Sequence, residues 1–280
     1  MLNGKRVLAV VPARSGSKGI PDKNMQLLDG VSLIGRAGQT LARVPTIDAR
    51  VISTDSPAYA EEGRRFGLDA PFLRPAALST DQAGAVETMQ HALREAERHY
   101  RATFDVVLII EPTSPLRLPE DIVRVAHRLI ESGADSVVTV TRLNPKYHPR
   151  KILTVEDGHI RFNVPGGNDV KARQQLTREL YWRNGVCYAL TRRCLMEMAV
   201  IFTDRTLADV IERPIVNIDD PDELEWAAFL LESDPVGRYL KTIFKEGQAP
   251  AKKDDHEQRR MPGTALSEET KMAIPRHRHK

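Results

Sequence analysis

Short apolar runs alternate with amphipathic segments along the first half of the chain, and this alternation limits the folds that the chain can adopt. Four runs have the composition of buried strands, being short and rich in aliphatic residues. They are Val7–Val11, Ala49–Ser53, Asp105–Ile110 and Ser136–Thr141, and Pro71–Leu73 is a shorter fifth candidate. Apolar residues at helical spacing lie between them, in the segments Leu33–Val44, Pro57–Phe66, about Gln82–Arg101 and Pro119–Glu131. The pattern predicts an α/β fold with a mostly parallel sheet and helices on both faces.

The pattern changes at about residue 144. Residues 144–183 contain a hairpin pattern around Asp157-Gly158, which we interpret as a β-containing insertion. Core strands are predicted again at Gly185–Leu190 and at Ile215–Ile218. We therefore predict one domain over residues 1–235 that carries an inserted arm.

The last helix and the C-terminal residues have different compositions. Pro221–Leu231 has the pattern of a helix, with Asp220 as its expected N-cap. Residues 248–280 are rich in Lys, Arg, Glu and His and contain few large apolar residues. Such a segment cannot bury enough surface to offset its ordering entropy, so we predict a disordered basic tail.

Composition excludes several classes of protein. The formal net charge of +3 is too weak to indicate a nucleic-acid-binding protein. Two cysteines, Cys187 and Cys194, are too few for a disulfide framework or a zinc site, and they suggest buried thiols in a reducing compartment. The apolar runs are shorter than the roughly 20 residues that span a bilayer, and the first lacks the features of a signal peptide. We expect a cytoplasmic protein without membrane or nucleic-acid partners.

Residues 12–24 form a loop directly after the first predicted strand, at the edge where parallel sheets bind their ligands. Its sequence is P-A-R-S-G-S-K-G-I-P-D-K-N. Two glycines let backbone N–H groups approach an anion closely, and three cations supply positive charge. These residues are Gly16 and Gly19, and Arg14, Lys18 and Lys23. We interpret the loop as the binding site of a triphosphate. The alternative is a basic loop that is simply solvated.

This loop and several later strings resemble the acylneuraminate cytidylyltransferases, the CMP-sialic acid synthetases. The loop is similar to the signature P-A-R-x-x-S-K-G-x-P-x-K-N of that family. Further similar strings follow in the family's order, at Ser53–Asp55, Phe72–Asp81, Pro112–Arg117, His148-Pro149, Arg173–Leu176, Asn184–Tyr188 and Asn217–Leu224. The resemblance covers about residues 6–232 and implies a Rossmann-like nucleotidyltransferase fold, Mg²⁺ as cofactor, and a homodimer made through the arm at residues 144–183.

The resemblance also implies a role for each matching residue. The nucleotide-binding residues would be Arg14, Ser17, Lys18, Lys23, Asn24, Arg74 and Asp81. The residues that bind the acceptor would be Glu111, Thr113, Ser114, Arg173, Gln174 and Asn184. The catalytic residues would be Arg14, Lys23 and Asp219. In the implied reaction, the anomeric hydroxyl of a sugar attacks the α-phosphate of CTP and pyrophosphate leaves, while the protein positions the reactants and neutralises charge.

Three strings differ from the pattern of the family. Its D-x-D metal pattern reads Asn217-Ile218-Asp219 here, so Asp219 matches a ligand and Asn217 replaces a carboxylate by a neutral oxygen donor. If both lie on a strand they share one face, and we predict both as Mg²⁺ ligands. The family's Q-P-T-S-P-L-R starts with Glu111 here, and its F-R-P-N-G reads Y-W-R-N-G at residues 181–185. The last two differences concern the acceptor.

These observations predict a cytidylyltransferase that activates an acidic 2-keto sugar with CTP. N-acetylneuraminate, legionaminate and pseudaminate are the candidate acceptors, and 3-deoxy-octulosonate or a phosphonate is an alternative. A sugar-1-phosphate nucleotidyltransferase is a rival enzyme, although its usual G-x-G-T-R loop is absent. A nucleotide-binding module that has lost catalysis is a further alternative, and nucleic-acid binding through residues 248–280 is another.

Overall fold

The computed structural model describes residues 1–246 except positions 171, 173, 174 and 177. The strands are β1 (Val7–Pro12), β2 (Leu27–Leu28), β3 (Val31–Ser32), β4 (Ala49–Ser53), β5 (Val106–Ile109), β6 (Ser136–Arg142), β7 (Leu153–Glu156), β8 (His159–Phe162), β9 (Tyr181–Thr191) and β10 (Thr206–Val210). The α-helices are α1 (Leu33–Ala42), α2 (Pro57–Arg65), α3 (Ala85–Tyr100), α4 (Pro119–Ser132), α5 (Arg192–Met196), α6 (Pro221–Ser233) and α7 (Pro235–Glu246). Among these described residues, no helix is both long enough and apolar enough to cross a membrane. The predicted tail at 248–280 lies outside the described residues.

A six-stranded sheet in the order β10-β6-β9-β5-β1-β4 forms the centre of the fold. β1 pairs in parallel with β4 and β5, and β10 pairs in parallel with β6. β9 runs antiparallel to both of its neighbours, β5 and β6. The predicted mostly parallel sheet is therefore confirmed. Because β9 is reversed, its first residues lie at the same edge of the sheet as the last residues of the parallel strands.

Helices cover both faces of this sheet, as the sequence predicts. Alternate residues of a strand point to opposite faces, and the residues of β1 divide accordingly. Val7, Ala9 and Val11 pack in a core cluster with residues of α1, α2 and α4, whereas Leu8 and Val10 pack with residues of α3 and α5. A strand that is buried on both faces is apolar throughout. The continuous apolar run of β1 is therefore enough to predict this strand from the sequence.

A third apolar cluster joins α6 and α7 to the segments near the first loop. Leu231 of α6 and Leu240 of α7 pack there with Ile20 and Ile218. The predicted cap of α6 is confirmed, because an Asp220 carboxylate oxygen accepts a hydrogen bond from the backbone N–H of Glu223 at 2.9 Å. α7 was not predicted, and it extends the compact unit past residue 235 to residue 246.

Two predicted strands are wrong, and three strands were missed, namely the short β2 and β3 and one strand of the central sheet. Pro71–Leu73 forms no ladder, and the nearby Asp69 makes an isolated bridge with Val51. Ile215–Ile218 also forms no strand, since its buried side chains pack into the third cluster instead of a sheet face. The missed strand of the central sheet is β10, which lies at the edge next to β6. Its residues Thr206–Val210 include a buried aspartate.

The predicted hairpin within residues 144–183 is present. β7 and β8 pair around Asp157-Gly158, where both residues have positive φ, 49° and 76°, as a tight hairpin turn requires. Directly opposed residues share a face of the hairpin. On one face Leu153 is opposite Phe162 and Val155 is opposite Ile160, and all four side chains are exposed. The hairpin therefore presents an exposed apolar face.

Candidate active site

A cavity of about 470 Å³ lies at the edge of the sheet where the parallel strands end. It is lined by the loop after β1, by residues that follow β4 and β5, and by Asp219. The lining residues are Pro12, Arg14, Ser17, Lys18, Gly19, Lys23, Asn24, Arg74, Asp81, Glu111, Pro112, Thr113 and Asp219. The structure thus brings together all seven residues that the sequence assigns to the nucleotide, with Asp219 beside them.

Hydrogen bonds to the neighbouring strand fix the start of the loop. Ala13 donates its backbone N–H to the carbonyl of Ser53 at 2.9 Å. Ser15 donates to the Asp55 carboxylate from its backbone N–H at 2.8 Å and from its hydroxyl at 2.7 Å. Burial opposes ionisation of Asp55, but the two bonds from Ser15, a backbone hydrogen bond of Asp55 itself and the charge of Arg74 together outweigh it and hold the pKa of this carboxyl below its usual value. The loop is therefore anchored by an ionised carboxylate.

Both glycines of the loop are needed for its shape. Gly16 has φ of +61°, in the left-handed region that glycine adopts without strain. Gly19 lies against the segment that carries the metal candidates, because a Cβ at this position would be 2.4 Å from the carbonyl oxygen of Asp219. The loop can pack this closely on residue 219 only with glycine at position 19.

Carboxylates contact all three cations of the loop. Asp81 binds Arg14 at 2.6 Å and Lys18 at 2.5 Å. Both hydrogen bonds lower the pKa of Asp81, and the one from Lys18 makes the largest contribution. Lys23 contacts an Asp219 oxygen at 2.7 Å. The three cations thus converge on oxygen atoms inside one cavity, which is the arrangement that binding of a polyphosphate requires.

Arg74 adds a buried cation to the same cavity. Its side chain is 7% exposed, and one guanidinium nitrogen donates to the Ser53 carbonyl at 2.7 Å. Its Nε is buried and has no hydrogen-bond partner among the described residues. Burial lowers the pKa of Arg74, and the charge of Asp55 opposes this shift. Arg74 is therefore fixed by the end of β4 and lines the cavity.

Glu111 lies at the end of β5 over the first part of β9. Its Oε2 accepts a hydrogen bond from Asn217 Nδ2 at 3.3 Å, and a Cβ added to Gly185 would be 2.3 Å from the same oxygen. Burial raises the pKa of the Glu111 carboxyl, although Arg117 and the bond from Asn217 oppose the shift. The sequence did not assign a role to Arg117. Its fully buried guanidinium donates to the carbonyls of Glu111, Gly185 and Val186 and so joins β5 to β9.

The remaining predicted acceptor residues occupy different positions. Thr113 lines the cavity. Ser114 and Asn184 are fully buried beneath it, and the Ser114 hydroxyl donates to the Asn184 carbonyl. Arg173 and Gln174 lie outside the described residues. A direct contact of these four residues with a substrate stays a prediction.

Among the described residues no group of three or more His, Cys, Asp or Glu side chains is placed to hold a metal ion, and Asp219 offers a single carboxylate to one. Mg²⁺ is commonly bound by one or two carboxylates together with substrate phosphates and water, and the exposed Asp219 carboxylate lies in the cavity beside the cations of the loop. Asn217 differs from its prediction, because it is not on a strand and turns its amide nitrogen to Glu111. Its Oδ1 is buried and, in the described part of the chain, has no hydrogen-bond partner. A metal role for Asn217 stays a prediction.

Sequence reasoning missed the anchors of the site. Asp55 and Arg117 both lie in strings that match the family, S-T-D and P-T-S-P-L-R. Neither residue lines the cavity, and each fixes a loop to the sheet. Because both residues lie inside the matched strings, the strings were the signal that could have identified them.

Solved structures share this fold. A CMP-2-keto-3-deoxy-manno-octonic acid synthetase in complex with CTP superposes with a TM-score of 0.58 at 16% sequence identity, covering 81% of this chain and 98% of that one. Together with the sheet order, this similarity shows a Rossmann-like nucleotidyltransferase fold, which confirms the fold predicted from the sequence.

The sequence comparisons show the family. The profile of the family described as Cytidylyltransferase matches residues 8–193. The CMP-N,N'-diacetyllegionaminic acid synthase of Legionella pneumophila is 30% identical over 79% of this chain and 94% of its own length. An N-acylneuraminate cytidylyltransferase of Streptococcus agalactiae is 29% identical over 86% of this chain and 57% of its own length. The chain therefore belongs to the cytidylyltransferase family, as its motifs indicated, and it is a nucleotidyltransferase.

Proposed function

We propose that this protein transfers CMP from CTP to an acidic 2-keto sugar and releases pyrophosphate. The observation that carries the proposal is the convergence of Arg14, Lys18, Lys23 and the buried Arg74 on one cavity at the carboxyl edge of the sheet. A nonulosonate such as legionaminate, N-acetylneuraminate or pseudaminate is the proposed acceptor. The names of the relatives, which describe legionaminate and neuraminate activation, support this class.

The nucleotide half of the reaction follows from the charges in the cavity. Arg14, Lys18 and Lys23 would bind the phosphate oxygens of CTP in place of the carboxylates that they contact in the free protein. The other predicted nucleotide residues, Ser17, Asn24, Arg74 and Asp81, line the same cavity and would hold the rest of the nucleotide. Fixed cations around the α-phosphate favour the transition state, because they need no reorganisation as charge develops. Arg14 and Lys23 are the proposed catalytic cations.

A divalent cation completes the proposed site, and Mg²⁺ is the ion that we propose. Asp219 would hold it, since this carboxylate is exposed in the cavity and adjoins Lys23. When bound, the ion supplies positive charge to the phosphate oxygens. Asp219 is the third proposed catalytic residue, because it would keep that charge next to the reacting phosphate.

The acceptor would enter between the ends of β5 and β9. Glu111 and Thr113 line this side of the cavity. We propose that Thr113 contacts the sugar, with Ser114 and Asn184 supporting it from below. Arg183 is exposed at the start of β9, 5.6 Å from the Phe202 ring centre, and supplies a positive charge for the carboxylate of the acceptor. Arg173 and Gln174 keep their proposed role as acceptor residues through the matched string.

We also propose a homodimer in which the hairpin of β7 and β8 contacts the partner subunit. An isolated two-stranded hairpin is marginally stable in water, and its apolar face is exposed in the single chain. Burial of this face against a second subunit would stabilise both the hairpin and the dimer. The protein would act in the cytoplasm, because Cys187 and Cys194 are buried free thiols that suit a reducing compartment.

Pyrophosphate release with CTP, Mg²⁺ and a panel of acceptors tests the proposed function. The panel contains nonulosonates, 3-deoxy-octulosonate, a phosphonate and a sugar 1-phosphate, and ATP and UTP serve as nucleotide controls. We expect release with CTP and a nonulosonate. CTP binding without release for any acceptor would instead favour a binding module, and release with the sugar 1-phosphate alone would favour the rival enzyme class.

A further inference from the structure

We propose that Glu111 and Asp219 together supply the carboxylates that hold the divalent cation, and that Asn217 positions Glu111 and does not bind the ion. This assignment rests on the proposed function, since the ion would accompany the nucleotide in the same cavity. It replaces the ligand pair predicted from the sequence, Asn217 and Asp219, and gives Glu111 a role other than acceptor binding.

The two carboxylates are placed to share an ion. Glu111 and Asp219 line one cavity, whereas Asn217 does not line it. The segments that carry the two carboxylates are hydrogen-bonded to each other. The backbone N–H of Ile218, next to Asp219, donates to the carbonyl of Thr113, two residues after Glu111, at 2.8 Å. Carboxylate oxygens are preferred ligands of Mg²⁺, and the oxygen of the Asn217 amide is buried.

Glu111 is held as a metal-binding carboxylate usually is. Ligating carboxylates are themselves hydrogen-bonded by neighbouring groups that fix their orientation. Asn217 Nδ2 donates to Glu111 Oε2 at 3.3 Å, and the main chain of Glu111 is fixed by the buried Arg117 guanidinium. Gly185 leaves the space that this carboxylate occupies. An amide donor at position 217 suits this supporting role.

The contact between residues 111 and 217 also joins two departures from the pattern of the family. That pattern has an amide, glutamine, at position 111 and a carboxylate, aspartate, at position 217, whereas this chain has the carboxylate at Glu111 and the amide at Asn217. Because the two side chains are hydrogen-bonded to each other, the two substitutions amount to one exchange of a carboxylate and an amide. The number of carboxylates near the ion is therefore unchanged, and the one from position 217 has moved to position 111.

Binding of Mn²⁺, used as a probe for the divalent site, tests this exchange. The free ion is measured by electron paramagnetic resonance with protein and CTP present and no acceptor. The variants are Glu111→Gln and the reciprocal double variant Glu111→Gln/Asn217→Asp, and the control is Glu131→Gln on the exposed surface of α4. We expect Glu111→Gln to weaken Mn²⁺ binding by about 10- to 100-fold, the double variant to restore most of the affinity, and the control to match the wild type.

A different result would overturn the assignment. Unchanged Mn²⁺ affinity in Glu111→Gln, with a raised KM for the acceptor, would make Glu111 an acceptor residue. A double variant that binds Mn²⁺ no better than Glu111→Gln would contradict the exchange. Circular dichroism checks folding, and Glu111→Asp, which keeps the charge but shortens the side chain, is expected to weaken Mn²⁺ binding less than Glu111→Gln. CTP binding by the wild type in the presence of Mn²⁺ is measured in parallel, and its absence would contradict the proposed function rather than this assignment.

Discussion

Arg14 is the residue through which the proposed chemistry is most directly tested. Replacement by alanine removes a planar guanidinium that faces the cavity and contacts Asp81 at 2.6 Å. We expect Arg14→Ala to lower kcat/KM for CTP by about 100-fold or more, because a fixed charge donor is lost where negative charge develops. Steady-state pyrophosphate release measures this effect.

The fold should survive the Arg14 substitution. The side chain is 34% exposed, and a partly exposed ion pair contributes at most about 1 kcal/mol to the free energy of unfolding. Arg98→Ala, which removes an exposed guanidinium paired with Glu95 on α3, is the matched control. If the Arg14 variant turned over as fast as the Arg98 variant, the proposed binding of the CTP phosphates by Arg14 would be contradicted.

The motifs located the residues of the site but not their contacts. The string at residues 12–24 and the string that ends at Asp81 both reach the cavity, as the resemblance implies. The pairing of Asp81 with Arg14, and of Glu111 with Asn217, depends on how the sheet arranges loops that are far apart in the sequence. Such pairings cannot be read from residue types, because each acid has many cations and amides within its possible reach.

At the scale of secondary-structure elements, burial decides which strands the sequence reveals. β1 and β5 are buried on both faces, and their continuous apolar runs predict them. β10 lies at the edge of the sheet and contains Asp209, whose buried carboxylate is paired with Arg124 at 2.8 Å. A polar edge strand of this kind has no apolar pattern. Conversely, Ile215–Ile218 is apolar because it packs under α6, and composition alone cannot separate that packing from a strand.

The hairpin of β7 and β8 provides a test at the same scale. Val155→Glu places a charge on its exposed apolar face, and we expect the proposed dimer to dissociate because a buried, unpaired charge is costly. Arg161→Glu introduces the same side chain on the opposite face, next to Thr154, and is expected to leave the dimer intact. Light scattering coupled to size-exclusion chromatography gives the mass of each variant. Equal masses for the two variants would place the dimer contact elsewhere or exclude it.

At the scale of the whole molecule, the two cysteines report on global unfolding. Cys187 lies in the core of the sheet, where burial raises the pKa of its thiol to about 12, and burial also raises the pKa of Cys194. A raised pKa keeps both thiols protonated and unreactive at pH 8. We expect no reaction of the native protein with an aromatic disulfide reagent and reaction of both thiols in denaturant, followed by absorbance.

Nucleotide binding should slow the reaction of these thiols further. A ligand that binds the folded state stabilises it by RT ln(1 + [L]/Kd), so that fewer molecules open to the reagent at a given denaturant concentration. CTP is the test ligand, and inosine at the same concentration is the control without phosphate. Rapid labelling of either thiol in the native protein would show that the core around Cys187 opens locally.

The carboxylate of Asp81 has a consequence for the ligands that this protein can select. In the free protein it acts as an internal counter-ion, bound to both Arg14 and Lys18. An anion that enters the loop must displace it, and a singly charged ion such as chloride gains no more from the two cations than Asp81 already does. A triphosphate brings several charges and can engage Lys23 as well. If the loop binds a triphosphate as proposed, Asp81 would therefore favour polyphosphates over small singly charged anions.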